Sequence, residues 1–249
     1  MKSRVLNIVA PFIAIVAFLG IWELLVRVLE VETWILPPPT AIFTSMIRDF
    51  PEYWPHIWTT GLTILLGFLI AIPVGLIVAS LVTSSKLLSA ALSPYITMLV
   101  ITPLMTLIPL LQLWMGYGMK VRVIAVIIQS FAVVNMNACT GFLNVPNIRH
   151  ELMQSMGANR LQTYFRMLLP SAATDIFTGI SLAAIFSTTA CISSEYVGGN
   201  MGLGSRIIYY KNFLKSEQAF ACIFYVMILG ILLHCLVKFA QKKIVKWKI

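Results

Sequence analysis

Asn144-Val-Pro-Asn-Ile-Arg-His-Glu-Leu-Met-Gln-Ser-Met-Gly-Ala-Asn-Arg-Leu-Gln-Thr-Tyr-Phe-Arg-Met-Leu-Leu-Pro170 reads as two short helices joined by a tight turn. In the first, Ile148, Leu152 and Met156 share a face at i, i+4 and i+8, with Met153 beside them. Gly157 supplies the left-handed residue at which helices commonly stop. Asn159 followed three residues later by Gln162 has the form of a capping box opening the second helix. Leu161, Tyr164, Phe165 and Leu168 form that helix's apolar stripe, and Pro170 is expected to end it. An elbow of this kind needs its apolar face covered. Docking on a partner and lying in lipid headgroups both satisfy that need, and the pattern alone leaves both open.

Outward from this segment the chain turns apolar. Of 249 residues, 59% are hydrophobic and 11% charged, where an ordinary soluble domain carries about 25% charged residues. The apolar residues fall in six blocks: Leu6–Val28, Trp58–Val82, Leu88–Trp114, Val121–Phe142, Asp175–Tyr196 and Ala219–Val237. A helix of about 20 residues crosses the roughly 30 Å hydrocarbon layer, and the blocks meet or approach that length. None alternates with the period of two required of a barrel strand, so the spans are helical. The expected fold is an all-α membrane protein of about six transmembrane helices, forming a single domain over residues 1–249. The third block is the one most exposed to interruption, because it holds Pro94, Pro103 and Pro109. The first has a basic start, but Trp22, Glu23 and Arg27 follow in place of a small-residue cleavage site, so it reads as a retained span. Glu23 with Arg27 four residues on has the favourable orientation for an intrahelical ion pair. Asp175 suits the N-terminus of the fifth span.

An even number of spans puts both termini on one side. With the termini in the cytoplasm, eleven basic residues lie inside (Lys2, Arg4, Lys86, Arg149, Arg160, Arg166 and five lysines from Lys238 to Lys248). Seven then lie outside: Arg27, Arg48, Lys120, Arg122, Arg206, Lys211 and Lys215. The bias favours this orientation and places the 144–174 elbow in the cytoplasm. The Lys-rich tail reads as an anchor at lipid headgroups rather than as a nucleic-acid site.

The elbow resembles the EAA loop of ABC importer permeases, whose pattern is E-A-A-x3-G-x9-I-x-L-P. Glu151, Gly157, Leu169 and Pro170 match it at the right spacing, while Leu152 and Met153 stand for the two alanines and Met167 for the isoleucine. Ile35-Leu-Pro-Pro-Pro-Thr40, Leu107-Ile-Pro-Leu-Leu-Gln-Leu-Trp-Met-Gly-Tyr-Gly118 and Glu195-Tyr-Val-Gly-Gly-Asn-Met-Gly-Leu-Gly204 resemble the branch serving nitrate, sulfonates, taurine and pyrimidine vitamin precursors. The resemblance implies a type I ABC importer permease fold in a bacterial cell membrane. It implies two copies of the permease side by side and separate ABC ATPase subunits that bind ATP and Mg. It further implies an extracytoplasmic substrate-binding protein that delivers the solute. Glu151, Leu152, Met153, Met156, Gly157, Ala158, Leu169 and Pro170 then form the surface that couples to the ATPase.

Other chemistries find little support. Gly198–Gly204 lacks the lysine that a phosphate-binding loop places after its last glycine, and reads as a bent connector. His150-Glu151 opens like a metalloprotease motif, but position 154 is Gln, and His56, His150 and His234 lie in separate segments. The four cysteines, Cys139, Cys191, Cys222 and Cys235, sit inside apolar blocks without a C-x-x-C pair, as small buried residues do. No metal site and no cofactor in this chain are expected. A secondary transporter or channel is the alternative, although intramembrane charges for ion coupling are scarce. An intramembrane enzyme is a further one, although no acid pair or Ser/His set appears.

Polar uncharged residues form stripes within the spans. Ser130, Asn137 and Asn144 repeat every seven residues with Gln129 at the edge of that stripe, as do Ser181, Thr188 and Glu195 with Thr178 close by. Thr102 and Thr106 share a face of the third block. Two readings stand: helix–helix hydrogen bonding, or a polar translocation pathway lined by Thr102, Thr106, Ser130, Asn137, Ser181, Thr188 and Glu195. The cargo is not legible.

Overall fold

The computed structural model describes residues 2–245, with side chains from Ala10 onward. Of the basic residues that set the orientation, Lys246 and Lys248 lie outside the described residues, as do the side chains of Lys2 and Arg4. The described chain is helical: α1 (Lys2–Val28), α2 (Pro39–Arg48), α3 (Phe50–Ser84), α4 (Lys86–Ile101), α5 (Leu104–Met115) and α6 (Met119–Leu143) come first. The elbow follows as α7 (Asn147–Ser155), α8 (Arg160–Thr163), a π turn (Tyr164–Leu168) and α9 (Leu169–Ser171). The chain then runs through α10 (Ala173–Tyr196), α11 (Leu203–Asn212) and α12 (Ser216–Ile244).

Helices α1, α3, α6, α10 and α12 are each long and apolar enough to cross a membrane. The third apolar block is not the straight span its length suggests. It is α4 and α5, bent by 102° at Thr102-Pro103. Pro103 has no N–H to continue the ladder, and its ring holds Thr102 extended, at φ −65° and ψ 123°. Pro94 and Pro109 lie inside helices and break neither. Counted as one broken span, the pair brings the total to six.

Helices α3, α6 and α10 form the centre, their shared core including Phe68, Val126, Val134, Ile176 and Ala183. They approach closely because small residues face larger ones: Gly67 meets Val126, Gly75 meets Val134, and Gly179 meets Asn137. Asn135, fully inside, donates to the Gly75 carbonyl at 3.2 Å. Outward, Leu65, Leu69, Ile77, Ile231 and Leu236 are exposed, an apolar surface of the kind expected on membrane-spanning helices. Cys191 and Cys222 are buried as expected, but Cys235 is on the surface.

At one end, Glu23 pairs with Arg27 at 2.6 Å. It also accepts the Thr40 amide and hydroxyl at 3.1 and 2.9 Å, which fastens α1 to the start of α2. Helix α2 lies on α12, with Phe43 against Phe224 and the Tyr225 hydroxyl on the Met46 carbonyl.

Candidate functional site

The elbow forms by local rules. Helix α7 ends at Gly157, whose φ is +70°. The Ala158 amide reaches back to the Met153 carbonyl at 3.0 Å, the long bond of a Schellman stop. Asn159 then caps α8 through its side chain, and Gln162 returns a bond to the Asn159 amide, completing the capping box.

Beyond α8 the outcome departs from the sequence reading. Pro170 does not end the second helix; helical structure runs on through Ser171. Pro170 cannot donate to the preceding turn, and ahead of it the ladder widens, the Leu169 amide bonding the Tyr164 carbonyl five residues back. The extra residue in that turn divides the expected stripe. Tyr164 and Leu168 pack on the bundle core, whereas Leu161 and Phe165 are exposed.

Three contacts fix the elbow to the bundle. The Tyr164 hydroxyl lies 2.8 Å from the Ser80 hydroxyl of α3. Its ring stands edge-on to Phe142 of α6 at 6.0 Å. Arg149 donates to the Ser171 hydroxyl at 2.9 Å. Held this way, the elbow leaves Ile148, Leu152, Met156, Leu161 and Phe165 exposed; Met156 is 72% exposed. Glu151 and Gly157 are exposed too, while Met153, Ala158, Leu169 and Pro170 are half-buried. An exposed row of apolar side chains therefore projects from one end of the bundle.

The seven expected pathway residues do not share one lined surface. Thr102 borders a groove of about 290 Å³ opened by the Thr102-Pro103 bend, together with Gln129, Thr189 and Ser193. Thr106 is exposed, one turn along α5, with its hydroxyl on the Pro103 carbonyl. Asn137 is half-buried, its amide on its own helix at the Val133 carbonyl. Thr188 packs beside Gly230 of α12. Ser130 and Ser181, expected to line a passage, are instead buried between helices. The seven-residue spacing does hold one face on each helix: Ser130 and Asn137 face α10, whereas Ser181 shares its face with Thr188 and Glu195, which pack toward α12 and α3. Ser130 bonds the Ala183 carbonyl at 3.5 Å.

Glu195, also expected on the path, is wholly buried in a cage. It accepts from the Thr60 hydroxyl at 2.8 Å and the Gly204 amide at 2.8 Å. A Cβ on Gly202 would overlap its carboxylate, which is why the connector after α10 is glycine there, at φ +116°. The Gly202 amide donates to His56 Nδ1 at 3.0 Å, tying the connector to α3. The glycine run is thus the bent connector expected, organised around a carboxylate. Arg122 and Gln112, which approach this region, carry no local signal. One enters the sequence reading only as a topology charge, the other only as part of a resembling stretch.

The family described as binding-protein-dependent transport system inner membrane component matches residues 71–246, well over half the chain. A probable ABC transporter permease protein of Haemophilus influenzae is 26% identical, with 94% of each chain covered. The formylaminopyrimidine transport permease of Halalkalibacterium halodurans is 25% identical, covering 96% of this chain and 95% of its own. The taurine transport system permease of Escherichia coli is 24% identical over 92% of this chain and 86% of its own. Among solved structures, an amino acid ABC transporter superposes with a TM-score of 0.65 at 20% identity, covering 81% of this chain and 98% of that one. The inward-facing MetNI methionine ABC transporter gives 0.58 at 20% identity, covering 79% and 97%. The chain belongs to the binding-protein-dependent transport system inner membrane component family and is a multi-pass ABC importer permease.

Proposed function

We propose that this chain forms the translocation pathway for a small organic solute, of the sulfonate and taurine kind or the pyrimidine-precursor kind, and that ATP is bound and hydrolysed by separate ATPase subunits. One observation carries the reading: the braced elbow leaves Ile148, Leu152, Met156, Leu161 and Phe165 uncovered by the other described residues. Apolar surface of that size at the end of a bundle calls for a docking partner, and the family supplies one in its ATPases. On this reading Glu151, Leu152, Met153, Met156, Gly157, Ala158, Leu169 and Pro170 make or support the docking surface. An extracytoplasmic binding protein meets the opposite end, two copies of the chain pair within the lipid, and both termini face the cytoplasm. The solute classes come from relatives named for taurine, aliphatic sulfonates and formylaminopyrimidine.

The groove at the α4–α5 bend, largely apolar with Thr102, Gln129, Thr189 and Ser193 on its wall, is the part of the pathway this chain presents. Gln129→Leu there removes an amide from the groove at a half-buried position. Loss of one hydrogen bond of about 1.4 kcal/mol corresponds to roughly a tenfold fall in uptake. Vesicles reconstituted with the permease and its ATPase should show this fall with unchanged complex yield. Uptake without the ATPase, or driven by an ion gradient, would instead assign a secondary transporter.

Orientation has its own test. In a background lacking Cys139, Cys191, Cys222 and Cys235, Thr44→Cys on exposed α2 should react with an impermeant thiol reagent applied to intact cells. Ser155→Cys on the elbow should react only after permeabilisation. The opposite pattern reverses the topology.

A further inference from the structure

Two stretches set apart in the sequence, Leu107–Gly118 and Glu195–Gly204, converge at the end of the bundle opposite the elbow. Between them lies a pocket of about 240 Å³, bordered by Gln112, Tyr117, Arg122, Ser194 and Asn200. Gly198 lets the connector close over it. A Cβ at that position would stand 3.0 Å from the Tyr117 ring and 3.1 Å from the Gln112 amide nitrogen.

Arg122 is the unusual member. Its side chain is 10% exposed, yet its donors are largely unused. Nη1 donates to the Met201 carbonyl at 2.5 Å, while Nε is buried without an acceptor. A guanidinium has five N–H donors and cannot shed its charge. Glu195 lies 3.6 Å from Nη1, beyond ordinary hydrogen-bond length. Its oxygens are already occupied by Thr60 and Gly204. Glu195 is also wholly buried and does not border the pocket. What the pocket presents is therefore a desolvated guanidinium flanked by Gln112 and Asn200, the Ser194 hydroxyl being spent on the Cys191 carbonyl at 2.6 Å. Those groups suit a small oxyanion: planar donors from the arginine, with neutral donors around it.

We propose that this pocket is a binding subsite for the sulfonate or carboxylate group of a small solute, engaged at the end of the permease away from the ATPase. The inference rests on the import reading and narrows its solute class to anions. Glu195 then has a defined part. It tempers the arginine from behind, so that the anion is held without being trapped.

The test is direct binding to the full-length chain, purified in maltoside detergent free of phospholipid and followed by calorimetry. The probes are ethanesulfonate, propionate and ethyl methyl sulfone, a neutral molecule shaped like ethanesulfonate. Both anions should bind saturably and the sulfone should not. Arg122→Gln should weaken ethanesulfonate binding about tenfold or more, the loss expected for a charge-assisted hydrogen bond. Glu195→Gln should strengthen it by a comparable factor, because the opposing charge is removed while a side-chain carbonyl remains for Gly204. Equal binding of the sulfone, or no gain in Glu195→Gln, overturns the proposal, and the sulfone comparison requires no variant to fold. Competition by phosphatidylglycerol micelles that abolishes ethanesulfonate binding would assign the pocket to lipid and also overturn it. Because the measurement uses this chain alone, its failure leaves ATPase-dependent uptake standing, and failure of that dependence leaves the binding result standing.

Discussion

Gly157→Val should abolish ATP-driven uptake while the permease still inserts and folds. Gly157 sits at φ +70° with nothing within 4 Å of where a Cβ would go, so space is not the obstacle. The obstacle is the backbone. A left-handed conformation costs an L-residue about 1–2 kcal/mol, and a β-branched side chain tolerates it least. Valine will relax toward φ below zero, which breaks the reverse bond from Ala158 to Met153 and swings α7 away from α8. The contacts that hold α8 and the π turn on the bundle, Tyr164 with Ser80 and Phe142, lie on the other side of the turn and survive. The exposed row therefore loses its geometry without loss of the fold. Asparagine enters the left-handed region more readily than other side chains, so Gly157→Asn should retain most of the uptake. Three quantities are compared across the two variants: yield of the complex with the ATPase, solute-stimulated ATP hydrolysis and uptake. Normal solute-stimulated hydrolysis in Gly157→Val would remove the elbow from the coupling role.

The features read correctly from the sequence are those whose causes lie within a few residues. Gly157 as a stop, Asn159 with Gln162 as a capping box, and Glu23 with Arg27 as a pair all follow from spacing of three or four along one helix. Apolar runs disclosed the spans for the same reason. The third span was readable as doubtful but not as bent, because Pro94, Pro103 and Pro109 look alike in sequence. Only the conformation of Thr102 shows which proline breaks the ladder. The polar stripes left Ser130 and Ser181 open between a pathway and helix packing because a seven-residue repeat fixes a face but not what that face meets. Within this chain the neighbour is another helix. Glu195 is a stronger case. Its ligands come from Thr60 on α3 and Gly204 on α11, and its partner Arg122 from α6, none of them near it in sequence except Gly204. A buried carboxylate of this kind has no local signature, and neither does the pocket in front of Arg122.

The close approach of α3 and α6 is equally invisible in sequence, and it gives the largest expected effect on stability. Gly67→Leu should yield no folded permease, and even Gly67→Ala should be clearly destabilised. A Cβ at position 67 would lie 2.5 Å from both Cβ and Cγ1 of Val126, and 3.1 Å from the Val123 carbonyl oxygen. Neither helix can retreat easily, because the same pair is held one stage further along by Asn135 on the Gly75 carbonyl and by Gly75 against Val134. Overpacking a tight contact costs about 1–3 kcal/mol, which outweighs the gain of about 1 kcal/mol that alanine brings over glycine in a helix. Gly61 on the same helix is the control. A Cβ there meets only Leu229 Cδ2 at 3.6 Å, an ordinary contact, so Gly61→Ala should be neutral or stabilising. The partner of the clash is tested by a double-mutant cycle, because Val126 is itself wholly buried core and its truncation is costly alone. Val126→Ala keeps the Cβ that the added methyl group strikes, whereas Val126→Gly removes it and should cost clearly less in the Gly67→Ala background than on its own. Thermal unfolding of the detergent-solubilised chain, followed by loss of the monodisperse species, compares the single and double variants. If Gly67→Ala melts with Gly61→Ala, or if Val126→Gly costs as much in the Gly67→Ala background as alone, the helices are not in the register described.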